Sequence, residues 1–193
     1  DCDGVLVDGV TVNSRKNDSN NDGIDIDGSR RVRVSNCVFN TGDDSICFKA
    51  SFRDCEDITV TNNVCSSLAN GVKFGTVSNG GFRNIVISNL VMRDVSAAGL
   101  ALEIVDGGTM DGVSITNVSM ERVGAPLFIR LGDRGRRWMR PGDQPAIGRL
   151  RNISISNVTA TVYTPFDGRP LSGSIVGLPD HPVENVSINN LRV

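Results

Sequence analysis

A short phrase of alternating polar and aliphatic residues recurs along the whole chain. Each copy contains a polar pair, then alternating aliphatic side chains, and then usually an asparagine. Equivalent positions are separated by 27, 26, 27, 28, 40 and 33 residues. The seven copies are DGVLVDGVTV, RRVRVSNCVF, EDITVTNNVC, FRNIVISNLV, MDGVSITNVS, LRNISISNVT and VENVSINNLR, and the equivalent positions are Gly9, Asn36, Asn62, Asn89, Asn117, Asn157 and Asn190.

This repeat predicts an all-β fold. A nearly constant step, short alternating β-branched runs and almost no helical spacing are typical of a solenoid of strands. We therefore expect a right-handed parallel β-helix with coils of about 26–28 residues. A horseshoe would need leucine-rich spacing, and a sandwich would not keep a regular step. Residues 1–193 are interpreted as one such domain, forming the C-terminal part of a longer protein.

Each coil also contains a second short strand, and these strands can be aligned from coil to coil. Strand residues alternate between faces, so the alignment predicts two buried columns, with neighbouring coils about 4.8 Å apart. The strands are GIDID (23–27), SICFK (45–49), GVKFG (71–75), GLALE (99–103), PLFIR (126–130) and GSIVG (173–177). The buried columns are Ile24, Ile46, Val72, Leu100 and Leu127, and Ile26, Phe48, Phe74, Leu102 and Ile129.

The recurrent asparagine is interpreted as structural. Asparagine tolerates a left-handed backbone at a sharp bend, and its side chain can hydrogen-bond along the stack. We therefore predict an asparagine ladder at one corner of the solenoid, outside the candidate site.

The same alignment brings three carboxylates together. Aligning Ile24 with Ile46 offsets the two coils by 22 residues. That offset places Asp22 over Asp44, with Asp43 beside them. Carboxylates this close repel, so one is expected to keep its proton near neutral pH, as a general acid must. Acid/base hydrolysis of a glycosidic bond needs such a pair, although turn-forming aspartates and a calcium site are alternatives.

Charged residues continue along the outward positions of later coils. Lys73, on the coil after Asp44, has no obvious partner in the alignment and is predicted to meet an anionic group of a substrate. Another outward column contains four charged residues, which a surface ladder of salt bridges explains as well as substrate binding does: Asp27, Lys49, Glu103 and Arg130.

The step of 40 residues contains an insertion, LGDRGRRWMRPGDQPAIG (131–148). Insertions in solenoids usually lie on one face and often bind ligands. This one is basic and contains the chain's single tryptophan, Trp138. It could cover a groove and stack Trp138 on a sugar ring, or it could be a solvated excursion. Its charge favours an acidic saccharide.

Composition excludes several classes of partner. The 193 residues carry a formal charge of −2, which is typical of an ordinary soluble protein. No apolar run approaches the roughly 20 residues of a membrane span, and no block of like charge indicates a nucleic-acid partner. One histidine and five cysteines without a CxxC pair indicate no zinc site, and interior free thiols are favoured over a disulfide. We expect a monomer without cofactor or metal.

With these residues placed, the chain resembles glycoside hydrolase family 28, the polygalacturonase-like enzymes. The family phrase NTDGxD looks like NNDGID (20–25), and its GDD phrase is matched at 42–44, before SICFKA. The similarity continues through GVKFGTVSNGGFRNI (71–85) and GLALEIVDGG (99–108). The resemblance implies a parallel β-helix from a secreted or periplasmic enzyme that hydrolyses glycosidic bonds of a pectin-type or related plant polysaccharide.

The resemblance also implies roles for the three carboxylates. Asp43 corresponds to the general acid, and Asp22 with Asp44 corresponds to the carboxylates that activate water, giving inversion at the anomeric carbon. Two departures mark a divergent member. The family's GHG histidine falls at Asn70 or Ala69, and its RIK phrase falls at 101–103, which loses both cations.

Substrate contacts are therefore predicted at other positions, or the glycan has fewer carboxylates. His181, in GLPDHP, could approach from a neighbouring coil or face solvent in a turn. Two rival functions remain open: a polysaccharide lyase or epimerase on the same solenoid, and a non-catalytic β-helix that binds glycans. The candidate binding residues are Lys49, Lys73, Glu103, Arg130, Trp138 and His181.

Overall fold

The computed structural model describes residues 1–14, 19–137, 142–164 and 171–193. Within these ranges the chain forms thirteen strands and no helix, so none of the described segments is a helix able to cross a membrane. The strands are β1 (Asp3–Asp8), β2 (Thr11–Asn13), β3 (Ile24–Asp27), β4 (Arg30–Ser35), β5 (Val38–Thr41), β6 (Ile46–Ala50), β7 (Cys55–Ser67), β8 (Val72–Ser78), β9 (Phe82–Ile104), β10 (Thr109–Leu131), β11 (Arg149–Val162), β12 (Ser174–Val176) and β13 (Glu184–Arg192).

The strands stack into parallel faces that wind around one core. One face has the order β1-β4-β7-β9-β10-β11-β13. A second face begins with β2, β5 and the second half of β7, and parts of the long strands β9 and β10 continue it. The third, called the site face below, has the order β3-β6-β8-β9-β10-β12. Strands such as β9 and β10 are long because each continues around corners from one face to the next. The predicted all-β, right-handed parallel β-helix is confirmed.

The site face has the predicted register. Phe48 and Phe74 stack with their ring centroids 4.3 Å apart, and Phe82 meets Phe74 edge-on at 5.3 Å. Each fully buried side chain of this size contributes about 1.5–3 kcal/mol, so the columns bind successive coils together. The paired residues are Ile24–Ile46, Ile46–Val72, Val72–Leu100 and Leu100–Leu127 in one column, and Ile26–Phe48, Phe48–Phe74, Phe74–Leu102 and Leu102–Ile129 in the other.

The predicted asparagine ladder is also present. The six asparagines of the ladder have φ between 54° and 57°, the left-handed conformation that asparagine tolerates at a bend. From the second onward, each donates a hydrogen bond from Nδ2 to Oδ1 of the asparagine one coil earlier, at 2.9–3.3 Å. The ladder therefore keeps the same corner in register across the stack, and its members are Asn36, Asn62, Asn89, Asn117, Asn157 and Asn190.

The cysteines are free thiols, and four of the five are buried, as the interior interpretation predicted. Cys2 is the exposed one. Burial raises the pKa of Cys55 to about 11 and that of Cys65 to about 12. These two thiols therefore stay neutral and pack as small apolar side chains.

Candidate active site

A glycine allows two coils to approach closely at the start of the site face. Gly23 N donates to the Asp44 carbonyl oxygen at 2.9 Å. A Cβ at Gly23 would lie 2.4 Å from the Ser45 carbonyl oxygen, so any other residue would push the coils apart. This contact places Asp22, which precedes β3, directly beside the residues that precede β6.

Asp22 and Asp44 converge on one point of the site face. A carboxylate oxygen of each and the Cys47 sulfur lie within 4.8 Å of one another. The Asp44 residue is 8% exposed and the Asp22 side chain 13% exposed. Burial raises the pKa of Asp22 to about 6 against the opposing effect of Lys49. Burial also raises the pKa of Asp44, although hydrogen bonds and a nearby lysine oppose the change.

Asp43 is held at the same edge by its neighbours. Its carboxylate accepts hydrogen bonds from the Asn20 backbone N at 2.9 Å and the Asp44 backbone N at 3.0 Å. Its carbonyl oxygen accepts bonds from the Thr41 and Ser67 hydroxyls, each at 2.6 Å. Asp43 is half-buried, so it keeps access to solvent.

Asn70 completes this cluster, and the sequence prediction missed its contribution. Its backbone N and its Nδ2 both donate to Asp44 Oδ1, at 3.0 and 2.7 Å. Its own Oδ1 accepts a bond from Ala98 N at 3.1 Å. A signal was available in the sequence, because Asn70 follows Asp44 by one coil and occupies the same column. The family resemblance marked this position only by the histidine it lacks.

Lys49 binds two carboxylates, but Asp27 is not one of them. Its Nζ lies 3.0 Å from Asp22 and 2.8 Å from Asp25. Asp27 accepts bonds from Ser51 N and Oγ instead, at 2.9 and 2.7 Å. The salt-bridge ladder considered for this column would pair Lys49 with Asp27, and that pair does not form, because the long lysine side chain reaches along the neighbouring strand to Asp22 and Asp25. Burial opposes the lysine charge, but these carboxylates raise the pKa of Lys49.

Lys73 has a partner, contrary to the prediction. Its Nζ lies 2.9 Å from a carboxylate oxygen of Glu103, and both side chains are largely buried, at 15% and 7% exposed. Burial disfavours the ammonium, but the Glu103 and Asp44 carboxylates raise the pKa of Lys73. A partner for Lys73 is required on physical grounds, because a buried ammonium needs a compensating negative charge.

Arg130 and His181 lie farther along the site face. Arg130 is the strand neighbour of Glu103 and is exposed. Glu103 pairs with Lys73, so the salt-bridge ladder considered for this column does not join Arg130 to Glu103. His181 is exposed in the turn after β12. β12 is four strand steps from β6, or about 19 Å at the usual strand spacing, so His181 does not approach the carboxylates from a neighbouring coil. It faces solvent in a turn.

The insertion is fastened to the solenoid through Arg134. Its guanidinium forms a two-point ion pair with the fully buried Asp106, including an Nε–Oδ1 contact of 2.9 Å, and it donates to Thr76 Oγ1 at 3.0 Å. This arginine therefore has a structural role. Trp138 lies outside the described residues, so its stacking on a sugar stays a prediction.

One donor set in the described part of the chain could hold a metal ion: Asp22, Asp44 and Cys47. Burial raises the pKa of the Cys47 thiol well above its ordinary value, so this sulfur is a neutral and weak ligand. Calcium takes about six to eight oxygen ligands, and this set offers carboxylate oxygens from two residues. The donor set is thus a poor fit for calcium.

The fold and the site together define a parallel β-helix protein with aspartates that converge on one outward face. The family model described as glycosyl hydrolases family 28 matches residues 1–193, and the chain belongs to this family. It is 28% identical to a polygalacturonase from Juniperus ashei over 135 residues, 67% of this chain and 26% of that protein. It is 24% identical to a polygalacturonase from Persea americana, over 91% of this chain and 40% of that protein.

Solved structures support the fold. An exopolygalacturonase from Thermotoga maritima superposes with a TM-score of 0.73 at 23% identity, covering 98% of this chain and 42% of that one. A family 28 exopolygalacturonase from Yersinia enterocolitica gives a TM-score of 0.76 at 20% identity, covering 98% and 34%. The chain thus spans less than half the length of each of these four proteins.

Proposed function

We propose that the protein containing this chain hydrolyses glycosidic bonds of a pectin-type or related plant polysaccharide. The observation that carries the proposal is the convergence of Asp22 and Asp44 beside Asp43, on a chain that belongs to family 28. The similar proteins named polygalacturonase support an acidic polysaccharide as the substrate class. We further propose a secreted or periplasmic monomer, with residues 1–193 forming one domain.

The proposed mechanism divides the work between the three carboxyl groups. Asp43 gives its proton to the glycosidic oxygen as the bond to the anomeric carbon breaks. Asp22 and Asp44 take a proton from a water molecule, and the water oxygen forms the new bond to the anomeric carbon from the opposite face of the sugar ring. Inversion at the anomeric carbon follows, and this part of the proposal rests on family membership.

The pKa of Asp22 gives the mechanism a pH dependence. A carboxylate that activates water must be ionised, and Asp22 has a pKa of about 6 because of burial. Below that pH it binds a proton and loses its function as a base. Hydrolysis should therefore decrease as the pH falls through about 6.

Lys49 and Asn70 act as positioning residues in this proposal. Lys49 holds the Asp22 carboxylate at 3.0 Å, and Asn70 holds Asp44 with two hydrogen bonds. Both contacts stabilise the ionised form of their aspartate. They therefore favour the protonation state that a base requires.

The test replaces the proposed acid. Asp43→Asn keeps the shape of the side chain but cannot donate the proton, and general acid catalysis is worth about 100-fold to 10,000-fold. Release of reducing ends from polygalacturonate and from plant pectin should fall by at least that lower factor. Asp94→Asn is the matched control, since Asp94 forms an exposed ion pair with Arg122 away from the site face.

Three outcomes would contradict the proposal. Full activity of Asp43→Asn on every cleaved glycan would remove Asp43 from the acid role. Unsaturated products that absorb ultraviolet light would favour the lyase alternative. Binding of glycans by the unmodified protein without product release would favour a binding module. For a hydrolytic product, proton NMR of the first anomer formed decides between inversion and retention.

A further inference from the structure

A cavity lies on the site face, one coil beyond the converging aspartates. Its volume is about 290 Å³, near the lower limit of ligand pockets, roughly 300 Å³. Asn70, Lys73 and Glu103 form one side of it, and Ala98, Phe128 and Leu171 form much of the remainder. The size suits a single sugar unit of a chain that continues from the aspartates.

The charges at this cavity cancel within the protein. The Lys73 ammonium is 2.9 Å from Glu103 and also interacts with Asp44. Among the described residues that line the cavity, Lys73 is the one cation and Glu103 the one anion. A ligand carboxylate would have to displace Glu103 from Lys73 or lie beside Glu103 as a second negative charge.

Displacing Glu103 is unfavourable because Glu103 is buried. Its side chain is 7% exposed, and a buried carboxylate that loses its partner carries a large desolvation penalty. Asn70 offers little compensation, since its backbone N and its Nδ2 each donate to Asp44 and its Oδ1 accepts from Ala98 N, which leaves one neutral amide N–H for a ligand. The cavity therefore disfavours free carboxylates on electrostatic grounds.

The rest of the lining favours an apolar group. Phe128 is the strand neighbour of Ala101, which is the strand neighbour of Lys73. The ring is half-buried, and its exposed part can cover the C–H face of a sugar or a methyl group. Sugar rings and ester methyl groups bury apolar surface favourably against such side chains.

We infer that this cavity is a subsite for an uncharged sugar unit, such as a methyl-esterified uronate, and that Glu103 excludes the free carboxylate by occupying Lys73. The inference rests on the proposed function, because it takes the site face to be the groove for a pectin-type chain. It narrows the preferred substrate to a polysaccharide in which the unit bound here carries no charge.

The test measures binding without cleavage. In the Asp43→Asn protein, calorimetry compares trigalacturonate with its fully methyl-esterified form. We expect the esterified trisaccharide to bind more tightly. The two ligands also differ at other positions along the groove, so the decisive quantity is the change in their affinity ratio when Glu103 is replaced.

Glu103→Gln should free the Lys73 ammonium for a ligand carboxylate. The affinity ratio of the two trisaccharides should then change by about tenfold or more in favour of the free acid, because one hydrogen bond to a charged group contributes about that factor in affinity. Glu121→Gln is the matched control, because Glu121 is exposed on another face of β10, and it should leave the ratio unchanged. The double variant Lys73→Met with Glu103→Gln removes both charges, avoids an unpaired ammonium in the fold and should not gain affinity for the acid.

The inference and the proposed function can fail separately. Tighter binding of the free acid by Asp43→Asn, binding of neither trisaccharide, or an unchanged ratio in Glu103→Gln would each overturn the inference. Absence of hydrolysis by the unmodified protein would refute the proposed function and would leave the measured affinity ratio unaffected.

Discussion

Replacing Asp22 with asparagine should stabilise the protein at alkaline pH while it removes a proposed base. The folded structure raises the pKa of Asp22 from 3.8 to about 6, chiefly through burial. A raised carboxyl pKa means that the fold binds the proton more tightly than the unfolded chain does. The stability from this proton is fully present below pH 3.8 and is lost as the pH rises through about 6.

The size of the effect follows from the pKa. The pKa of Asp22 changes by about 2.2, and a change of one corresponds to about 1.4 kcal/mol, so ionisation costs the fold at most about 3 kcal/mol. The amide introduced by Asp22→Asn would mimic the protonated carboxyl group, and Lys49 would keep its 2.8 Å contact with Asp25. For a domain of this length, each kcal/mol shifts the melting temperature by about 2–4 °C.

Thermal unfolding of both proteins, followed by far-ultraviolet circular dichroism, measures the difference. Asp22→Asn should melt several degrees higher than the parent at pH 8 and at nearly the same temperature at pH 4. Asp94→Asn controls for the loss of one negative charge at an exposed ion pair. The reasoning is refuted if Asp22→Asn is less stable at pH 8, or if its advantage does not grow between pH 4 and pH 8.

Two further substitutions separate positioning from folding. Asn70→Ala removes the Nδ2 hydrogen bond to the buried Asp44 carboxylate and the bond that Asn70 Oδ1 accepts from Ala98 N, while the backbone N–H bond to Asp44 stays. We expect kcat/KM to fall about tenfold and the unfolding free energy to fall by about 1–3 kcal/mol; unchanged kinetics would deny Asn70 a positioning role. Asn117→Ala removes two ladder hydrogen bonds and a side chain that tolerates φ of 57°, so urea denaturation should show a loss of about 1–2 kcal/mol with unchanged kcat/KM. Equal stability of Asn117→Ala and the parent would mean that the ladder contributes nothing.

The register of the site face could be predicted from the sequence because two periodicities determine it. Strand side chains alternate with a period of two, and a slip of one residue would turn a buried column outward. The coil step then decides which residues are neighbours, as in the pair of Ile24 and Ile46. The approach of Asp22 to Asp44 followed from those two constraints alone.

The ion pairs could not be predicted with the same success. Lysine has a long side chain with several rotatable bonds, and it can reach diagonal neighbours as easily as direct ones. Lys49 bypasses Asp27 for Asp22 and Asp25, and Lys73 finds Glu103 from the adjacent strand. Which carboxylate each lysine meets depends on the conformation of its side chain, which the repeat does not specify.

The ion pair that fastens the insertion could not be predicted from the repeat either. Its arginines suggested a basic surface over the groove, yet Arg134 pairs with the buried Asp106. No repeat phrase covers Asp106, so the pattern did not indicate that this position holds a buried carboxylate that pairs with an arginine. The interior position of Asp106 becomes evident only from the packing of the coil.

The coil-to-coil construction makes the site modular. In a solenoid each coil contacts mainly its neighbours, and here the aspartates, Asn70 and Glu103 belong to successive coils. A transplanted coil of equal length could replace residues 82–108, which include Glu103. The coils that carry the paired aspartates would stay unchanged. Under the proposed function, the residues that select the substrate and the residues that cleave the bond could therefore be exchanged independently, one coil at a time.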